Sequence, residues 1–211
     1  MIKDTKSRGR PRTYDPDTAL EQARDVFWDG GFAGSSLDSL GAAMAMNRPS
    51  LYGAFGDKEA LYLRALERYR EESEVGLRNA LDPERPLCDG LRTVYSTALA
   101  TYLSGKISAR GCLLIGTAAT EAVTNTQIRH VLGASLVAFD RVFEERLRIA
   151  KKTGELDSTV DVLALSRLAS AVLHTLAVRT RAGEARATLE AIAESGVQLI
   201  CMHASAVERA R

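Results

Sequence analysis

Apolar positions recur along this chain at three- and four-residue intervals, and no strand-like alternation competes with them. The first stripe is Leu20, Ala23 and Phe27 with Val26 beside it. Asp15 is placed to cap that helix, Pro16 takes its first helical position, Asp17 lies in its positive first turn, and Gly30 and Gly31 close it. Leu37, Leu40 and Met44 mark a second, short helix, with Ser35 as the expected cap and Asp38 reaching back in a capping-box arrangement. Asn47 opens a third, in which Arg48 and Pro49 fill the first turn and Leu51 and Phe55 form an inward pair. From Asp57 a longer helix carries Leu61, Leu66, Tyr69 and Leu77 to the stop at Asp82-Pro83, a rod of roughly 35 Å.

The rest of the chain, from Pro86 to Arg211, reads as five helices separated by breaks at Gly105 to Gly111, Thr124 to Thr126, Gly154 to Ser158, and Ala182 to Glu184. Lys151 and Lys152 before Gly154, and Arg179 and Arg181 before Gly183, mark two helix C-termini. The helix near Val160 to Arg181 is apolar on more than one face: Val162, Leu165, Ala169, Val172 and Leu176 form one stripe, and Leu168, Ala171 and Leu173 fill neighbouring sectors. The last helix carries Leu189, Ile192, Ala193, Gly196, Leu199 and Ile200. These two helices are expected to pair with their counterparts in a second copy as a four-helix bundle. The predicted fold is all-α: a three-helix helix-turn-helix domain at residues 14–60, preceded by a flexible arm at 1–13 and followed by a larger helical domain at 61–211.

The exposed start of the third helix changes the picture from packing to chemistry. A helix held by so few apolar anchors, yet showing Arg48, Pro49, Ser50, Tyr52 and Gly53 outward or sideways, suits insertion into a DNA major groove. An ordinary helical hairpin with a solvated face is the plainer alternative.

Charge sharpens this only when it is located. The whole chain of 211 residues carries a net +1 and is 45% hydrophobic, enough for a packed core. The first fourteen residues hold five basic side chains against one acid, a balance of +4, whereas residues 15–57 hold two basic and seven acidic ones, a balance of −5. Arg8, Arg10 and Arg12 of the arm are candidates for the phosphate backbone or minor groove. The three cysteines, Cys88, Cys112 and Cys201, and the three histidines have neither zinc-site nor redox-pair spacing, so a reduced, cytoplasmic protein is expected. No run of about 18 apolar residues suggests a membrane span. No H-E-x-x-H, phosphate-cradling glycine loop or nucleophile elbow supports an enzyme, and no motif requires a cofactor or metal.

The segments GRPR from Gly9 to Arg12, Ala19 to Leu40, and NRPSLYGAFGDKEALYLRAL from Asn47 to Leu66 together resemble the DNA-binding domain of the TetR family of bacterial transcriptional regulators. The resemblance implies a homodimeric repressor on an inverted-repeat operator of double-stranded DNA. It matches Arg48 to a base-reading position, Pro49 to a thymine-methyl contact, and Ser50, Tyr52 and Lys58 to phosphate contacts, with Ser36 and Gly53 also on the DNA side. Gly53 and Ala54 stand where the family often has larger side chains, so direct readout leans on Arg48, and Ala45 stands where the family usually has Gly. Eight phosphate contacts, from Lys58 and the three arm arginines in two subunits, imply a log–log salt slope of about −7, and of about −2 without the arm.

Arg110 to Ala122 and His174 to Gly183 look like one subgroup of the effector-binding region of these regulators. Such a region encloses a small-molecule pocket, for which Tyr95, Tyr102, Cys112, His130, Phe139 and His174 are the candidates. Thiol or metal sensing through Cys112, and a helical protein-interaction module without DNA binding, are the rival readings.

Overall fold

The computed structural model of the chain describes residues 14–105 and 109–202. Arg8, Arg10 and Arg12 lie outside the described residues. Among those described, the regular structure is all helical.

The first helix, α1 (Pro16–Gly34), opens as its sequence dictates: the Asp15 carboxylate accepts from the Thr18 amide at 2.9 Å and the Thr18 hydroxyl at 2.6 Å. Those bonds, the hydroxyl's first, hold the Asp15 carboxyl below its ordinary range. Gly31, at φ 70° and ψ 176°, kinks the helix where an end was expected, and one further turn runs to Gly34. The buried face is Ala19, Ala23, Phe27 and Trp28, whereas Leu20 and Val26 are only half-buried. The kink lets Phe32 fold back, so that the rings of Phe27 and Phe32 sit 4.8 Å and 5.0 Å from that of Tyr62.

The helix α2 (Leu37–Ala43) starts one residue later than expected. Ser36, not Ser35, is its cap, and its box partner is Ser39, each side chain bonding the other's amide at 3.0 Å. Ser35 is 3% exposed and gives its hydroxyl to the Gly31 carbonyl at 2.6 Å, tying the kink together. Asp38, released from capping, turns towards the next helix.

Two backbone features make the turn. Ala45 takes a left-handed φ of 50°, and the Met46 amide donates to the Gly41 carbonyl at 2.9 Å. A Cβ on Gly41 would stand 2.7 Å from the Met46 carbonyl oxygen, so only glycine fits there. Asn47 then caps α3 (Arg48–Phe55) by accepting from the Ser50 amide at 2.9 Å, and Leu51 and Phe55 are buried. Asp57 caps α4 (Lys58–Ala80) through the Ala60 amide at 2.8 Å. Along α4 the residues Leu61, Tyr62, Ala65, Leu66, Tyr69 and Leu77 are all buried, so one core runs continuously from the first three helices into the rest of the fold.

Beyond it lie α5 (Leu87–Tyr102), a π-helical turn at Leu114–Ala118 that runs into the short α6 (Ala119–Glu121), α7 (Thr126–Thr153), α8 (Val162–Arg181) and α9 (Arg186–Cys201). The π-turn is the second of the five helices expected. Gly116 stands against Arg181, whose Nη1 would lie 2.6 Å from a Cβ there.

The reading of three reduced cysteines is corrected: Cys88 in the first turn of α5 and Cys201 at the end of α9 form a disulfide with Cα atoms 6.0 Å apart. Their separation of 113 residues concealed the pairing. Cys112 is free and buried.

On α8 the stripe Val162, Leu165, Ala169, Val172 and Leu176 is buried in the same chain. Leu173 also turns inward, whereas Leu168 and Val178 remain exposed, as do Leu199 and Met202 at the end of α9. Gly196 serves the intrachain α8–α9 contact: a Cβ there would stand 2.8 Å from Val172. The length and composition of α8 would suffice to cross a bilayer, with a mean hydropathy of 1.4, yet half of it is packed inside the fold.

Candidate nucleic-acid interface and internal cavity

Local capping sets the outer surface of α2 and α3. Ser36 and Asn47 stand at the two helix starts, and Arg48, Pro49, Ser50, Tyr52 and Gly53 are exposed beside them. Gly53 has open space around it. Lys58, in the first turn of α4, is half-buried, with its ammonium 4.4 Å from the centre of the Phe32 ring. Arg48 does not extend freely: its Nε donates to Asp38 Oδ1 at 3.0 Å and its Nη2 to Oδ2 at 2.8 Å.

The acid excess of residues 15–57 is used elsewhere. Asp15 and Asp57 cap helices. Asp17 and Glu21 pair with Arg68 at 2.6 Å and 3.5 Å, and Asp25 and Asp29 with Arg110 at 3.1 Å and 2.7 Å. Four acids of α1 therefore bind α1 to α4 and to the segment before the π-turn, and the surface of α3 carries no carboxylate of its own.

The contact with that segment is compact. The Arg110 side chain is 9% exposed and its guanidinium stands 5.4 Å from the centre of the Trp28 ring. The Trp28 indole donates to the Gly111 carbonyl at 3.0 Å, and Gly111, at φ 63°, passes so close to Ala177 of α8 that a Cβ would meet its carbonyl oxygen at 2.6 Å. A chain of direct contacts thus joins α1 to α8 through residues 110 and 111.

Beside this contact lies a cavity of about 310 Å³ whose walls come from α1, α4, α5, α7 and α8. Its interior is mostly apolar, with Leu77, Val94, Phe139 and Leu173 among the walls; Arg24 and Glu72, paired at 2.8 Å, stand at one side. Polar groups on its walls include the hydroxyls of Ser73, Thr97 and Thr101 and, most deeply buried, the hydroxyls of Tyr69 and Tyr102 and the thiol of Cys112, with Tyr69 Oη donating to Sγ at 3.6 Å. Burial pushes Tyr69, Tyr102 and Cys112 above their ordinary pKa, so each stays protonated at neutral pH. The site offers weak neutral donors in apolar surroundings, which suits an uncharged molecule.

Residues 19–65 match the family model described as bacterial regulatory proteins, tetR family. Over 90% of its length the chain is 35% identical to the regulator CifR, seen as a cysteine mutant bound to a 26-base-pair operator duplex, covering 98% of that chain at a TM-score of 0.77. This chain belongs to the TetR family of transcriptional regulators. It is also 27% identical to the HTH-type transcriptional repressor ComR of Escherichia coli K12, over 92% of each chain. A TetR-family regulator from Cytophaga hutchinsonii shares the fold at a TM-score of 0.79 and 23% identity.

Within this TetR-family regulator the six pocket candidates separate. Tyr102, Cys112 and Phe139 line the cavity. Tyr95 is buried elsewhere and donates to the Ala169 carbonyl at 3.1 Å, a structural bond between α5 and α8. His130 is exposed on a different groove, beside Leu63 and Glu67. His174 is half-buried on α8 with its Nε2 unpartnered, and burial lowers its pKa. Arg24, Trp28 and Tyr69 were not expected in a ligand site. Trp28 and Tyr69 carry only an aromatic signal in the sequence, which reads as packing, and Arg24 carries none. The raised pKa of Cys112 disfavours the thiolate that thiol sensing would use. Among the described residues, no three His, Cys, Asp or Glu are grouped to hold a metal.

Proposed function

We propose that this regulator is a homodimeric repressor whose paired α3 helices read an inverted-repeat operator in the cytoplasm, and which releases DNA when a small uncharged molecule occupies the cavity beside Trp28. Residues 14–60 act as the DNA module, and those from 61 on as the effector and dimerisation domain. Arg48 reads a base edge, Pro49 meets a thymine methyl, and Ser50, Tyr52 and Lys58 take phosphates, with Ser36 and Gly53 close to the backbone and Arg8, Arg10 and Arg12 reaching around the duplex. The exposed Leu168, Val178, Leu199 and Met202 favour a second copy on α8 and α9, and twofold symmetry in the protein calls for twofold symmetry in the operator.

The observation that carries the regulatory half is the position of the cavity. Arg24 and Trp28 belong to α1, so a molecule in the cavity touches the DNA module itself. It lowers DNA affinity only as far as it prefers the arrangement in which α1 has moved. Trp28 is the one tryptophan of the chain, and its emission reports the cavity directly. The test selects a duplex from random DNA with the purified protein, then titrates the complex with a panel of uncharged phenols and ketones. A compound that shifts Trp28 emission should release the duplex over the same concentration range; compounds that shift the emission and leave the duplex bound would defeat the proposal.

A further inference from the structure

We propose that Asp38 is the positioning residue that makes Arg48 selective for a guanine edge; this rests on Arg48 being the base-reading side chain. Asp38, in the first turn of α2, takes Nε and Nη2 of Arg48, the side-on fork of the guanidinium, at 3.0 Å and 2.8 Å. A guanidinium has five N–H donors, and this pairing leaves the end-on pair, one N–H each from Nη1 and Nη2, unspent. That pair is parallel and matches the O6 and N7 acceptors of guanine. The carboxylate therefore occupies the fork that base reading does not need.

The pairing also fixes the side chain before DNA arrives. Arg48 and Asp38 are 59% and 76% exposed, so nothing else packs the arginine into one rotamer. A long side chain ordered in advance loses less freedom on binding, and its edge is already aimed. Charge points the same way: Asp38 cancels the Arg48 cation, so the pair adds little to the attraction of phosphates at any sequence. An unpaired Arg48 would be a free cation able to settle on a phosphate and abandon the base.

The test uses the full-length protein and a random duplex library, with Asp38→Ala, Asp38→Asn and Arg48→Ala beside the parent. Helix content by circular dichroism keeps folding out of the comparison, and Asp38→Asn preserves the shape of the residue. The parent should retain one strong guanine column in each half-site, and Arg48→Ala should lose it. Both Asp38 variants should weaken the guanine preference in that column about tenfold while the other columns stay as they were. On non-specific duplex, Asp38→Ala should steepen the log–log salt slope by about 2, because two subunits each free one guanidinium for a phosphate. If Arg48→Ala erases the column and the Asp38 variants leave it as sharp as in the parent, or weaken every column alike, the positioning role is refuted and the reading of Arg48 survives. If Arg48→Ala itself keeps the column, Arg48 is not the reader and both fall.

Discussion

The surface of α2 and α3 and the cavity beside Trp28 are built by opposite means. The first is made by neighbours in sequence: Ser36, Ser39, Gly41, Ala45 and Asn47 set two helix starts and one turn, and the exposed side chains follow from them. The second is made by residues far apart, with Trp28, Tyr69, Tyr102, Cys112, Phe139 and Leu173 converging from distant parts of the chain. In the proposed function, recognition therefore rests on local backbone chemistry and sensing on long-range packing. The two meet at one place, where Trp28 and Arg24 of α1 form part of the cavity wall.

This contrast can be broken from either side. The largest effect should fall on the helical domain alone: Cys88→Ser opens a link across 113 residues and should cost about 3 kcal/mol of unfolding free energy, leaving the DNA affinity of the folded protein unchanged. Denatured without reductant, the parent should titrate a single thiol, Cys112; three thiols would show the link to be absent. On the other side, Gly41→Ala should cost about 2 kcal/mol and also abolish operator binding, because the new Cβ pushes on Met46 and re-aims α3. Denaturant melts with a DNA-binding assay separate these two patterns. Arg110→Ala, at the junction, should cost between about 1 and 2 kcal/mol by removing two half-exposed ion pairs and the contact with Trp28, and should red-shift Trp28 emission as water reaches the indole. The smallest change should be a gain: Ala45→Gly relieves a left-handed alanine and should stabilise the fold by about 1 kcal/mol with sequence preference intact.

The same contrast explains what could be read in advance. Asp15, Asn47 and Asp57 announced three helix starts because a cap acts on an amide two or three residues away. Ser35 passes for the cap of α2 because adjacent serines offer the same chemistry, and only the burial of Ser35 against the Gly31 kink distinguishes it from Ser36. The charge balance of residues 15–57 counts the acids but not their partners, because Arg68 and Arg110 lie outside that stretch. Tyr102, Cys112 and Phe139 line the cavity, whereas Tyr95, His130 and His174 are not part of its lining, because residue type alone does not tell which helix face looks inward. Trp28 packs against Tyr69 and Arg110; its second role, as cavity wall, depends on Gly111 reaching it from 83 residues away.

Whether filling the cavity reaches the DNA module through α1 can be tested without knowing the effector. Ala98 of α5 is half-buried on the cavity wall, and Ala98→Phe places a ring inside as a tethered ligand. The measurement is the affinity of this variant for the duplex selected by the parent, with Trp28 emission as the control that the ring has entered. If α1 carries the coupling, the emission shifts and binding weakens at least about tenfold, a coupling of the size usual between linked sites. A shifted emission with the parent's DNA affinity would mean that the cavity and the DNA module are uncoupled.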